Sequence, residues 1–264
     1  MTRTFRVLTY NVRHEIDGDT DAWKPRRDAL ATLVRSLDPD VVALQEAAER
    51  QLSDLRPRLP GYTWFGCGES SFGENNPIGS NGSAHVTETE TTWLSATPET
   101  AGSTGWDGAF PRVLVEATIE IGGGSNDDGS HTVTVFNTHF DHRGRRARRE
   151  SARLIRRRLD ALPASRQAVV MGDFNAPADS AVDRILTGDG YDRALSDAWR
   201  TADTVRGPET TLTDFESLRP GRRLDRIFIT AGLTARRVHA RTDRADGAFP
   251  SDHLPVCATL EPTG

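Results

Sequence analysis

The chain has 264 residues, 36% of them hydrophobic and 27% charged, the composition of an ordinary water-soluble globular protein. At this length roughly three quarters of the unfolded surface can be buried, so a core does not need disulfide or metal staples. A formal net charge of −5 argues against a protein coated in positive charge for nucleic-acid binding, and any grip on a polyanion must be local.

Residues 5–11 read FRVLTYN, a short β-rich run that ends on a polar residue and enters a loop holding Asp17, Gly18 and Asp19. From Pro25 the apolar positions Leu30, Leu33, Val34 and Leu37 recur at helical spacing and stop before Pro39. The apolar run 41–44 is a buried strand with Gln45 and Glu46 at its end. Strand, helix, strand favours a layered α/β fold. Residues 66–92 are rich in Gly, Ser, Thr and Asn, and are expected to form an exposed loop with ragged β structure. Strands follow at 113–121 and 132–140, separated by the hairpin-like GGGSNDDGS. A helix is expected over 145–162, a buried strand over 168–171, a short helix over 181–186, and the last strands over 224–230 and 256–260. With no internal repeat and no long linker, residues 1–264 read as one mixed α/β domain.

Cys67 and Cys257 are far apart, with no CxxC pair, which rules out a zinc ribbon or a disulfide framework and fits a reducing compartment. No window approaches the ~18–20 consecutive apolar residues of a membrane span, and MTRTFRVLTYNV lacks the marks of a signal peptide. The expectation is an unprocessed cytoplasmic protein with no membrane segment and no obligate protein partner.

Polar residues stand where apolar strands end, a placement that suits a shared site better than packing. They are Asn11 after VLTY, Glu46 after VVALQ, Asn137 and His139 in VFNTHFDH, Asp173 and Asn175 in VVMGDFNA, Asp225 before RIFIT, and Asp252 and His253 in PSDHLPV. In an open α/β sheet, strand ends are where ligands sit. Singly, each has a plainer reading as a turn, a cap, a surface acid or a satisfied core histidine. Together they describe hard oxygen ligands for Mg²⁺ or Mn²⁺ with imidazoles near phosphate oxygens. Zinc fits less well, since there is no HExxH or Cys/His cluster.

LTYN, LQE, NTHFDH, GDFNA, LDRIFI and SDHLPV, in this order from Val7 to Leu260, resemble the endonuclease/exonuclease/phosphatase superfamily, the fold of pancreatic deoxyribonuclease I. GDFN with a C-terminal SDH is a specific combination, and TTWLSATPETAGSTGWDGAFPR is similar to a branch of small prokaryotic members. The resemblance implies a four-layer α/β sandwich, two mixed sheets face to face with helices outside. It also implies roles. Glu46 would be the principal metal ligand, with Asn11 close by and Asp252 completing the acidic floor. Asp173 would deprotonate the attacking water, and Asn175 would hold a phosphate oxygen or that water. His253, fixed by Asp225, would contact the scissile phosphate, and His139 would be the second imidazole, able to protonate the leaving oxygen. Asn137 would brace that strand near the substrate, Arg112 is a candidate for touching either the phosphate or a residue behind the site, and Arg143 is a candidate substrate contact.

The chain departs from the family pattern at GENNPIGSN, where Glu74, Pro77 and Ile78 are kept but Gly79, Ser80 and Asn81 replace aromatic and basic positions. Glu74 could still orient His139, and the lost side chains would widen the pocket. Nine arginines fall within residues 143–158. Arg143 and Arg148 match arginines common in relatives, whereas Arg145, Arg146 and Arg149 stand where acids are common. They form either a solvated surface or a phosphate-tracking patch. Trp93 and Trp106 could stack a base, though tryptophans packing a loop onto a sheet are commoner.

The sequence thus points to a metal-dependent phosphoester hydrolase, with nucleic-acid phosphodiesterase placed first. A phosphomonoesterase or lipid-headgroup phosphodiesterase is the alternative enzyme, and a catalytically dead binding module is the non-enzymatic one.

Overall fold

In the computed structural model, residues 4–15, 23–66, 75–122, 130–188 and 191–263 are described. Strands and helices run in chain order as β1 (Phe5–Asn11), α1 (Trp23–Leu37), β2 (Val41–Gln45), α2 (Glu49–Leu55), β3 (Thr63–Phe65), β4 (Ile78–Ser80), β5 (Ala84–Trp93), β6 (Val113–Ile121), β7 (His131–His139), α3 (Arg145–Asp160), β8 (Gln167–Asp173), α4 (Ala181–Thr187), β9 (Leu195–Asp197), α5 (Ala198–Thr201), β10 (Thr204–Arg206), β11 (Asp225–Thr230), β12 (Leu233–Ala240) and β13 (Val256–Pro262). The strands form two mixed sheets. One has seven strands in the order β10-β12-β13-β1-β2-β4-β3, the other six in the order β5-β6-β7-β8-β11-β9.

Successive side chains of a strand point to opposite faces, and here both faces are covered. Val7, Val41 and Ala43 of the first sheet meet Val135, Val169, Met171 and Ile227 of the second in the central core. On the outside, Leu8, Val42 and Leu44 pack under Leu30 and Val34 of α1, while Phe136, Val170 and Phe228 pack under Ile155 and Leu159 of α3 and Leu186 of α4. The result is the four-layer sandwich, helix, sheet, sheet, helix. Each fully buried Val, Leu, Ile or Phe contributes roughly 1.5–3 kcal/mol relative to exposure.

Alternation also aims the strand ends. His139 and Asp173 face one way and the next residues, Phe140 and Phe174, face the other, where Phe140, Phe174 and Phe228 stack edge to face at 5.1 Å spacing. The aromatic ladder thereby fixes the two strand ends that carry polar groups. Gly172 lets β8 approach β7 closely, because a Cβ there would collide with the Thr138 carbonyl, and its φ of +151° disfavours other residues.

Two stretches differ from the sequence expectation. Residues 84–93 form a ten-residue edge strand, β5, with one bulge between Val86 and Glu88, rather than an exposed loop. Its outward Thr and Glu residues mimic loop composition and keep an edge from pairing with other chains. β12 escaped notice because a bulge between Ala235 and Arg237 breaks its alternation. The expected widening at 79–81 is also absent. Gly79 and Ser80 pair with Val42 and Val41, at the end of β2 remote from Glu46, and the Trp64 ring lies over Gly79.

On β11, Asp225 faces one side and Arg226 the other. Arg226 is fully buried and binds Asp183 of α4 and, at 2.8 Å, Asp197 of β9. Replacing Arg226 by Met removes the cation shared by two buried carboxylates and leaves Asp183 with Arg200 at 3.6 Å and Asp197 with Arg223 at 2.6 Å, so urea unfolding is expected to show a loss of about 3 kcal/mol. A loss below about 1 kcal/mol would contradict this role.

Candidate active site

The site grows from one rung of the second sheet. His139, the last residue of β7, is the register partner of Asp173, the last of β8, and Asp173 is in turn the partner of Asp225, the first of β11. The rung places an imidazole and two carboxylates side by side, with Asp173 1% and Asp225 0% exposed. Like charges directly opposite in a sheet repel, so the pair requires a cation nearby.

His253 supplies it. Its Nδ1 lies 2.8 Å from Asp225 Oδ2 and its Nε2 3.9 Å from Asp173 Oδ2. Burial alone would drive the proton off His253, but the carboxylates of Asp225 and Asp173 outweigh burial and hold its pKa well above the usual imidazole range. Burial also keeps the Asp225 carboxyl above its ordinary range, against the attraction of His253.

His139 is biased the opposite way. Burial and the Arg112 guanidinium, whose Nη1 lies 2.8 Å from His139 Nδ1, lower its pKa. A guanidinium can only donate, so Nδ1 accepts and the proton of the neutral ring sits on Nε2. Nε2 lies 3.5 Å from Asp173 Oδ2 and 3.1 Å from Asn175 Nδ2. The Asn175 amide donates to the Phe140 carbonyl at 2.8 Å, which fixes its orientation, so its approach to Nε2 sets two N–H groups together and is a contact rather than a hydrogen bond in this tautomer. Two imidazoles therefore flank Asp173 in opposite protonation states.

The first sheet contributes the other wall. Asn11 closes β1, and its Nδ2 bridges Glu46 Oε1 at 3.0 Å and Asp173 Oδ2 at 3.2 Å. Glu46 follows β2 in a left-handed conformation, φ 61°, that aims its carboxylate back, and the His14 backbone N–H donates to Oε2 at 2.7 Å. Burial would raise the Glu46 pKa, but these hydrogen bonds and the charge on His253 hold it below the ordinary carboxylate range. Asp173 Oδ1 accepts from the Asn175 N–H at 2.9 Å, with Asn175 itself left-handed at φ 45°.

Hard oxygen donors dominate, which fits a divalent cation such as Mg²⁺ or Mn²⁺. The buried Asp225 Oδ1 has no hydrogen-bond partner. Among the described residues, the group of His, Cys, Asp or Glu ligand atoms gathered within 4.8 Å is Asp173, Asp225 and His253. The floor expected from Glu46, Asn11 and Asp252 is only partly assembled, because Asp252 Oδ2 is held by Arg13 Nη1 at 2.8 Å.

The sequence model of the endonuclease/exonuclease/phosphatase family matches residues 8–253. The chain belongs to this family. A family protein from Bacteroides vulgatus is 30% identical, with 99% of this chain and 100% of that chain covered and a TM-score of 0.90. The mannosyl-6-phosphatase of Bacteroides thetaiotaomicron is 28% identical, with 97% and 99% covered and a TM-score of 0.88. Danio rerio TDP2, complexed with a single-strand DNA product, shares the fold at 20% identity, 98% and 99% coverage and a TM-score of 0.75. Comparison with curated protein sequences gives no significant match.

As a member of this family, the chain brings Asn11, Glu46, His139, Asp173, Asn175, Asp225 and His253 together. Arg112 is buried and reaches His139, so it orients an imidazole in place of an open phosphate contact. Asn137, expected near substrate, is fully buried. Its amide donates to the carbonyls of Leu44, Asn76 and Pro77, and its Oδ1 accepts from Gln45 at 2.6 Å, which makes it a strut between the sheets. The Arg143 side chain is exposed at the rim, and its backbone N–H donates to Asp141. Glu74 lies outside the described residues. Trp93 is buried, whereas Phe110 is exposed and stacks on His142 at 5.7 Å.

If Asp225 sustains the charge on His253, Asp225→Asn lowers the imidazolium pKa. The alkaline limb of the kcat/KM pH profile is expected to move to lower pH, and an unmoved limb with residual activity would refute a charged His253.

Proposed function

We propose that the protein is a divalent-metal-dependent phosphodiesterase that cleaves nucleic acid by attack of water on phosphorus. The observation that carries this reading is the Asp173 carboxylate held between a neutral and a charged imidazole, a pairing of groups whose environments push their proton affinities apart. Membership of the family makes a phosphoesterase the starting point.

The residues divide the work. Asp173, with Oδ1 fixed by the Asn175 N–H and Oδ2 by the Asn11 amide, accepts the proton of the attacking water. Such a positioned base contributes roughly 10²–10⁴-fold. His139 presents Nε2–H as a neutral donor to a phosphate oxygen. His253 carries the proton that can be given up, so it is the better acid for the leaving oxygen, which exchanges the two imidazole roles that the family resemblance implies. A Mg²⁺ or Mn²⁺ ion held by Glu46, with Asn11 close by, would offset charge on the phosphate oxygens. Asp252, locked to Arg13, would join only by leaving that pair.

Nucleic acid is favoured by cationic side chains gathered beside the site in a chain of net charge −5. The similarity to a mannosyl-6-phosphatase favours a second reading, a phosphomonoesterase on sugar phosphates.

A substrate panel separates the two. Single-strand and duplex DNA, RNA and hexose 6-phosphates are incubated with Mg²⁺, with Mn²⁺ or with EDTA. Nucleic-acid cleavage that EDTA abolishes is expected, and hydrolysis of hexose phosphates alone would establish the second reading. Asp173→Asn, which preserves shape, is expected to lower kcat by at least about 10²-fold with unfolding unchanged; near-native kcat would remove Asp173 as the base.

A further inference from the structure

Six of the nine arginines of residues 143–158 fall into two groups in the structure. Towards the C-terminal end of α3, Arg156 is buried on the carbonyls of Leu186 and Arg193, Arg158 pairs with Glu90 and Glu116, and Arg153 pairs with Glu150. These are structural contacts. At the N-terminal end, Arg148 donates to the Asp141 carbonyl at 2.7 Å, while the Arg145 and Arg149 side chains form no hydrogen bond or ion pair among the described residues.

Arg145 and Arg149 stand one turn apart on the same face, with Arg148 beside them, and like charges at this spacing repel. Cations in a first turn also oppose the helix dipole; the turn holds no acidic residue of its own, and the Asp107 carboxylate, which accepts from the Arg146 and Ala147 N–H groups, is engaged with the backbone. The cluster weakens the helix locally, and Arg145 and Arg149 gain no side-chain partner among the described residues.

The three arginines line a cleft of about 200 Å³ together with Asn175, Pro177 and Val182. Asn175 also touches His139, its Nδ2 lying 3.1 Å from Nε2, so one residue of the cleft wall borders the site. Guanidinium groups bind phosphate through paired, charge-assisted hydrogen bonds, and the apolar floor is suited to a ring.

We propose that this cleft is a subsite for a second phosphate group of the substrate, adjoining the ester that is cleaved. The inference rests on the reading of the site as a phosphoesterase and makes its substrates multiply phosphorylated. A nucleic-acid strand supplies the second phosphate as the next diester, and a bisphosphorylated sugar supplies it as a second ester.

Equilibrium binding tests this without requiring turnover. Thymidine 3′,5′-bisphosphate is compared with thymidine 5′-monophosphate, and fructose 1,6-bisphosphate with fructose 6-phosphate, on the full-length protein with Mg²⁺ present. In at least one pair the bisphosphate is expected to bind about tenfold or more tightly. That ratio is expected to fall to about one in Arg145→Ala/Arg149→Ala and to persist in Arg157→Ala. Alanine favours helix, so the double variant should fold, which its circular dichroism checks. A preference confined to the thymidine pair identifies a nucleotide strand, and one confined to the fructose pair a sugar bisphosphate. No preference in either pair, or one that survives the double substitution, overturns the subsite. If the phosphoesterase reading itself were wrong, no ester would be cleaved, yet these binding ratios would still decide the subsite.

Discussion

The site depends on the rung that sets Asp173 directly beside Asp225 across β8 and β11, both carboxylates being buried. Two such anions cannot share a dry rung without positive charge close by. His253 meets that need from the loop before β13, and its 2.8 Å bond to Asp225 ties this loop to the second sheet. On the other side of Asp173, His139 occupies the same rung but is held neutral by burial and Arg112. The protonation states of both imidazoles thus follow from where the strands place the two carboxylates.

The sandwich serves this arrangement by joining its halves at their strand ends. Asn11 links Glu46 of the first sheet to Asp173 of the second, and Gln45 with Asn137 repeats the link one layer deeper. Asn11, Gln45, Asn137 and Asp173 lie on paired strands, and the Phe140, Phe174 and Phe228 ladder backs the second sheet, so these positions are set by packing rather than by loops. Charge is sorted in the same way. Carboxylates collect in the interior of the site, while Arg145 and Arg149, without side-chain partners among the described residues, stand at the N-terminal end of α3.

Much of this was legible in the sequence, since apolar runs of period two that end in Asn, Glu, His or Asp mark strand ends whose polar residues need a shared purpose. The rung itself was not, because register between strands far apart in the chain leaves no local signal. The same holds for Arg112 on His139 and for Arg13 on Asp252, partners 27 and 239 residues apart. The depth at which Asn137 braces its strand is hidden for a related reason. Alternation places it on the same face as His139, but only the packed sheets show that this face is closed above Asn137 and open above His139.

The opposite charge states of His139 and His253 are the most direct point of test. Nitrogen-15 chemical shifts of the two imidazoles at pH 7, assigned with His139→Gln and His253→Gln, are expected to show a neutral ring protonated at Nε2 for His139 and a doubly protonated ring for His253. Equal charge on the two rings, or a neutral His253, would contradict the electrostatic basis of the site.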